Sequence, residues 1–153
     1  MRIAIVDDDP IVCQSLETIL TATGTADVLW SANDGGAAIR RYFESPENHP
    51  DILLIDIQMP GMNGLDLLKH IKILAPETEV ILISGHADLE MAIQGLKLEA
   101  SDFITKPIDD DLLHISLKRA LERIAMRNKL KEYTSNLEKM INEKSAQLVD
   151  CLL

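Results

Sequence analysis

Five short apolar runs, at 2–6, 27–30, 52–55, 80–83 and 102–104, alternate with longer stretches whose apolar residues recur every three or four positions. The first, third and fourth runs are nearly continuous Ile, Leu and Val without polar alternation. Strands of that kind are covered on both faces, as in a parallel sheet, rather than half-solvated as in an antiparallel one. The segments between them, 11–22, 36–44, 65–74 and 89–98, are amphipathic and of a length suited to crossover helices. Strand then helix, repeated with right-handed crossovers, predicts an α/β fold: a five-stranded parallel, doubly wound, flavodoxin-like sandwich of strand order 2-1-3-4-5.

The pattern changes after Pro107. Residues 109–153 contain neither Gly nor Pro and predict an extended C-terminal helix, with the globular domain covering 1–125 and a helical extension covering 126–153. Leu130, Thr134, Leu137, Ile141, Lys144, Leu148 and Cys151 fall at alternating four- and three-residue spacing, about three heptads. That stripe is out of phase with Leu113, Leu117, Ala120 and Ile124, which are expected to pack on the domain. The extension therefore reads as a coiled coil or signalling helix and predicts a parallel homodimer, weakened by Lys144 inside the stripe.

Charge narrows the class of partner. The chain carries a formal net charge of -10, and 1–125 hold 10 basic and 21 acidic side chains against 5 and 4 in 126–153. Such a field repels a phosphate backbone, and aromatics at 3% are too few to stack single-stranded bases, so direct nucleic-acid binding is not expected. Cys13 and Cys151 lack partners at metal spacing and suggest neither disulfide framework nor zinc. No apolar run approaches the roughly 18 to 20 residues of a membrane span, and acidic residues stand where a signal peptide would be cleaved. A cytoplasmic protein with no membrane contact is expected.

Open α/β sheets bind ligands at the carboxyl ends of their strands, where strand order reverses, here between strands one and three. Strand one ends in Asp7, Asp8 and Asp9, strand three in Asp56, strand four in Ser84 and strand five in Lys106. Asp9, ahead of Pro10, suits a helix N-cap, and the triplet Asp109, Asp110, Asp111 is explained as the start of the last helix. Asp7 and Asp8 differ, because Asp56 is expected opposite them, and like charges 4 Å apart repel by ~4 kcal/mol at an effective dielectric near 20. Such a cluster calls for a hard cation held by oxygen, Mg²⁺ first and Mn²⁺ as its substitute. His49, His70, His86 and His114 are scattered and are expected at the surface without a chemical role.

These residues resemble the receiver domain of bacterial two-component response regulators over roughly 1–125. The pieces are Ile5-Val6-Asp7-Asp8-Asp9, Leu54-Ile55-Asp56-Ile57-Gln58-Met59-Pro60-Gly61-Met62-Asn63-Gly64, Ile83-Ser84-Gly85 and Lys106-Pro107, in order and each at an expected strand end. The resemblance implies that Asp56 accepts a phosphoryl group from a phosphohistidine on a sensor histidine kinase or phosphotransfer protein. It also implies that Asp8 binds Mg²⁺ directly and Asp7 largely through water, with Asp56 and the Gln58 carbonyl completing the set. Lys106 and Ser84 would hold phosphoryl oxygens. Ser84 and Phe103 would act as the switch, altering the face made by helix four, strand five and helix five. Phe103 is as readily an ordinary core aromatic.

The implied function is a phosphorylation-activated switch in a phosphorelay, with weak autophosphatase chemistry, rather than an enzyme. The alternative is an Asp-nucleophile phosphohydrolase of the haloacid-dehalogenase kind, which usually has a second acid two residues after the nucleophile. Gln58 stands there instead. No effector sequence follows residue 125, and the chain is expected to be the front piece of a longer protein.

Overall fold

All five apolar runs form strands in the computed structural model, which describes residues 1–22, 24 and 26–152, with side chains through 148. The Cys151 side chain, last in the tail stripe, lies outside the described residues. The strands are β1 (Arg2–Val6), β2 (Asp27–Ala32), β3 (Ile52–Asp56), β4 (Glu79–Ser84) and β5 (Asp102–Thr105). Between them run helices α1 (Pro10–Ala22), α2 (Gly35–Glu44), α3 (Gly64–Leu74) and α4 (Leu89–Lys97), and α5 (Asp110–Leu152) follows β5. Single turns of 3-10 helix occupy Pro46–Asn48 and His86–Asp88.

All pairings are parallel and the order is β2-β1-β3-β4-β5, with helices on both sides, as the sequence pattern predicts. β3 and β4 are buried at every position and β1 at all but its first. Their continuous Ile, Leu and Val thus meet helices above and below. One core cluster joins Ala4, Val6, Leu53 and Ile55 of the sheet to Leu67, Leu68 and Ile71 of α3 and Ala92 of α4. On the edge strand β2, Trp30 is buried and its Nε1 donates to the Asn48 carbonyl at 2.8 Å.

Two of the four histidines depart from the surface positions expected of them. His70 and His86 are exposed, but His49 is half-buried, stacked on Tyr42 with ring centroids 3.8 Å apart. His114 is half-buried too, its Nδ1 2.7 Å from the Asp110 carbonyl. A flat imidazole covers a tyrosine face as a small aromatic, so His49 is packing material.

The chain divides into two compact units, Met1–Ala120 and Leu121–Leu153. In the second, Leu130, Leu137, Ile141 and Leu148 of the heptad stripe are all exposed. No helix among the described residues is long and apolar enough to cross a membrane.

Candidate functional site: an acidic cluster at the sheet edge

Strand register alone brings the candidate residues together. Val6 pairs with Ile55, Asp56 with Ile83, and Ser84 with Thr105, so Asp7, Asp56, Ser84 and Lys106 emerge at successive strand ends. The ladder continues past the strands: Asp7 N–H donates to the Ala32 carbonyl (3.0 Å), Ile57 N–H to Ile83 (2.9 Å) and Lys106 N–H to Ser84 (2.8 Å). The backbone beneath each side chain is therefore fixed by its neighbour.

Asp7, Asp8 and Asp56 each offer a carboxylate oxygen, and these oxygens lie within 4.8 Å of one another. Asp7 and Asp56 are buried and Asp8 is exposed. Lys106 Nζ stands 3.3 Å from Asp56 Oδ2 and 3.4 Å from Asp7 Oδ2. The Asp9 N–H donates to Asp7 Oδ1 (2.9 Å) and the Gln58 N–H to Asp56 Oδ1 (3.3 Å). Ser84 is fully buried and its Oγ has no hydrogen-bond partner.

Electrostatics follow from this crowding. Burial pushes Asp56 up to about 6, helped by the Asp7 charge and opposed by Lys106 and the Gln58 N–H. Burial also raises Asp7, against the pull of the Asp9 N–H and Lys106. For Lys106, burial acts to lower the pKa but is outweighed by the Asp56 and Asp7 carboxylates, which raise it. One ammonium does not neutralise three carboxylates. An all-oxygen donor set, with Asp7 Oδ2 buried and met only by the Lys106 ammonium at 3.4 Å, fits a hard divalent cation such as Mg²⁺. Nearby Cys13 is no nucleophile: burial and Asp7 push its thiol up to about 11.

The turn after Asp56 is shaped by two glycines. Gly61 has φ +76°, a left-handed conformation that side chains disfavour. Gly64 opens α3 directly against β3, where a Cβ would run into the Asp56 carbonyl oxygen and the Ile57 Cα. Asn63 Oδ1 accepts the Asp66 N–H at 2.9 Å as the helix cap. Asp9 likewise accepts the Ile11 N–H at 2.9 Å ahead of Pro10, so the capping role expected of it holds.

Phe103 is half-buried, packed on the core cluster, and lines a cleft of about 330 Å³ with Leu112, Ile115 and Arg119. In the same cleft, Asp102 Oδ2 accepts from Ser116 Oγ (2.8 Å) and lies 3.8 Å from Arg119.

One participant was not legible in the sequence. Asp88 is buried beside the site, where Oδ1 accepts from Gln58 Nε2 at 2.8 Å and Oδ2 from the Gly85 N–H at 3.1 Å. Its place just before α4 signals only a helix cap.

Comparison with known proteins agrees with this geometry. The response regulator receiver domain matches residues 3–118. Regulatory protein AtoC of Escherichia coli is 35% identical over 130 residues, 85% of this chain but 27% of its own length, so the chain spans about a quarter of that relative. Chemotaxis protein CheY of Thermotoga maritima is 38% identical over 69% of this chain and 85% of its own. Among solved structures, a response regulator receiver domain protein from Clostridium thermocellum superposes with a TM-score of 0.75 at 30% identity, covering 82% of this chain and 97% of that one. With the strand order, the acid cluster and a match over most of its length in agreement, the chain belongs to the response regulator receiver domain family.

Proposed function

We propose that this chain is the phosphorylation-activated switch of a two-component pathway and that Asp56 is its phosphoacceptor. The observation carrying this is the contact of Lys106 Nζ with Asp56 Oδ2 at 3.3 Å inside a cluster of three carboxylates. Asp7, Asp8, Asp56 and the Gln58 carbonyl would hold Mg²⁺, which supplies positive charge for the transferring phosphoryl group. Lys106 and Ser84 would hold its oxygens, the unpartnered Ser84 Oγ being a donor in need of an acceptor. Phosphoryl transfer needs positioning and charge neutralisation more than covalent help, and this edge supplies both. Asp56 Oδ is the attacking atom, and Lys106 stays protonated beside it.

The phosphodonor is a sensor histidine kinase or a phosphotransfer protein, and the phosphoryl group is lost slowly by the domain's own autophosphatase chemistry. Phe103 and Ser84 form the switch pair, with the cleft between β5 and α5 as the surface they remodel. The hydrolase alternative gains no support, since Gln58 offers no second acid. Residues 1–125 act as the receiver and 126–153 as a helical extension. The exposed heptad positions Leu130, Leu137, Ile141 and Leu148 support a parallel coiled-coil homodimer, and the acidic charge argues against direct nucleic-acid contact. A cytoplasmic location, away from the membrane, suits a free, protonated Cys13 and a kinase donor.

Incubation with acetyl phosphate and Mg²⁺, followed by intact mass, tests the function. A stable gain of one phosphoryl group is expected; rapid turnover without accumulation points to the hydrolase, and no change to a passive binding domain. Sedimentation of the full chain against one ending at Arg127 tests the dimer, and two monomers would overturn it.

A further inference from the structure

Asp88 occupies the N-cap position of α4, yet its carboxylate makes no capping bond to that helix. Its oxygens serve other groups, Oδ2 closing the 3-10 turn at His86–Asp88 that leads into the helix. Oδ2 holds the Gly85 N–H and Oδ1 holds Gln58 Nε2, whose second contact is Met91 Sδ at 3.5 Å. Gln58 follows Asp56 by two residues, and Gly85 follows Ser84 by one. A single buried carboxylate thus ties the loop after the acceptor strand to the loop after the hydroxyl strand.

The arrangement so tied leaves one buried group unsatisfied and one helix without its usual side-chain cap. Ser84 Oγ is buried without a partner, and the first N–H groups of α4 lack the side-chain cap that an Asp in this position ordinarily supplies. One movement would supply both a partner and a cap. If the segment from Ser84 to Asp88 swings toward Asp56, Ser84 meets a phosphoryl oxygen, the Gln58 bond breaks, and the Asp88 carboxylate turns to cap α4. Two discrete hydrogen-bonding choices for one side chain make a two-state element.

We propose that the Asp88–Gln58 bridge is a latch on the unphosphorylated arrangement, with Asp88 a positioning residue that restrains Ser84 until Asp56 carries a phosphoryl group. The proposal rests on Asp56 being the acceptor. A latch reduces the fraction of molecules competent to hold the phosphoryl group, and apparent affinity falls by that fraction. Releasing it raises affinity for a phosphoryl mimic.

The test uses the full chain at saturating Mg²⁺ with beryllofluoride titrated calorimetrically. Gln58→Met keeps the length of the side chain and removes the amide; it should bind beryllofluoride about tenfold more tightly, the weight of one hydrogen bond to a buried carboxylate. Gln58→Glu, which sets carboxylate against carboxylate, should do the same. Gln58→Glu combined with Asp88→Asn exchanges donor and acceptor across the bridge and should return affinity toward that of the original chain. Amide exchange without beryllofluoride provides a second readout: in Gln58→Met, Gly85 should exchange faster and residues 89–91 more slowly as Asp88 turns to cap them. Unchanged affinity in Gln58→Met, or failure of the exchanged pair to reverse Gln58→Glu, overturns the latch. So does unchanged exchange at Gly85 and 89–91. If exchange shifts as described while the original chain neither binds beryllofluoride nor gains a phosphoryl group, the Asp88–Gln58 bridge is a real two-state contact but the assignment of Asp56, and with it the latch on phosphorylation, fails.

Discussion

Two runs of three aspartates, 7–9 and 109–111, share a composition and differ in what lies across from them. At 109–111 the acids serve a helix. Asp109 Oδ1 accepts the Asp111 N–H at 2.9 Å and the Leu112 N–H at 3.3 Å, while Asp110 and Asp111 stand exposed in the first turn of α5. At 7–9 only Asp9 does this, and Asp7 is buried against Asp56 and Lys106. A helix start relieves negative charge, by roughly 0.3–1 kcal/mol per acid. A neighbouring strand end that carries another acid concentrates it, at a cost several times larger. Chemistry is marked by the second circumstance, so an acidic triplet has no meaning until the topology states what lies across from it.

The contrast is sharpest in labelling. Asp56→Asn should abolish phosphoryl gain from acetyl phosphate, whereas Asp110→Asn leaves it intact; intact mass reads both, and labelling of Asp56→Asn would remove the acceptor from β3. Next in size is metal affinity. Asp8→Ala should weaken Mg²⁺ binding by at least about tenfold, as expected for a lost direct ligand, with no change in Asp111→Ala. Equal affinities in the two would show that the first triplet is as structural as the second.

Stability against pH separates them further. Asp56 is raised to about 6 from an ordinary value of 3.8, so the unfolded chain is the stronger acid there. Its contribution favours the fold fully below about 4 and is lost as pH climbs through about 6. In metal-free protein, Asp56→Asn should therefore be the more stable form at pH 7, by up to about 3 kcal/mol, with the gap closing toward pH 4. Urea titrations with chelator at both pH values check this, and a gap independent of pH would contradict the burial of that charge. Smallest is the cap: Asp109→Ala should cost ~1 kcal/mol in the same titrations and leave labelling and Mg²⁺ affinity untouched.

The sheet and its order were legible because β1, β3 and β4 are apolar without interruption between their end residues, which only a doubly covered strand tolerates. The site was legible for a related reason: in a parallel sheet all strands end at one edge, so strand-terminal polar residues meet. What escaped depended on loops. Gln58 and Asp88 are 30 residues apart and touch because two turns lie side by side at that edge. His49 meets Tyr42 across the turn after α2, and no spacing along the chain announces a stacked pair. The ends of β2 and β4 also ran beyond their apolar runs, to Ala32 and to Ser84, because ladder hydrogen bonds continue through polar residues.

Trp30 is the sole tryptophan of the chain, and it lies on the edge strand β2, with β1 between it and β3. Buried and bonded to Asn48, its indole is a built-in optical reporter of the sheet edge. Its emission should move to longer wavelength when the domain melts and hold steady when Asp56 changes its chemical state. A single cuvette then tells a variant that has lost its chemistry from one that has lost its fold.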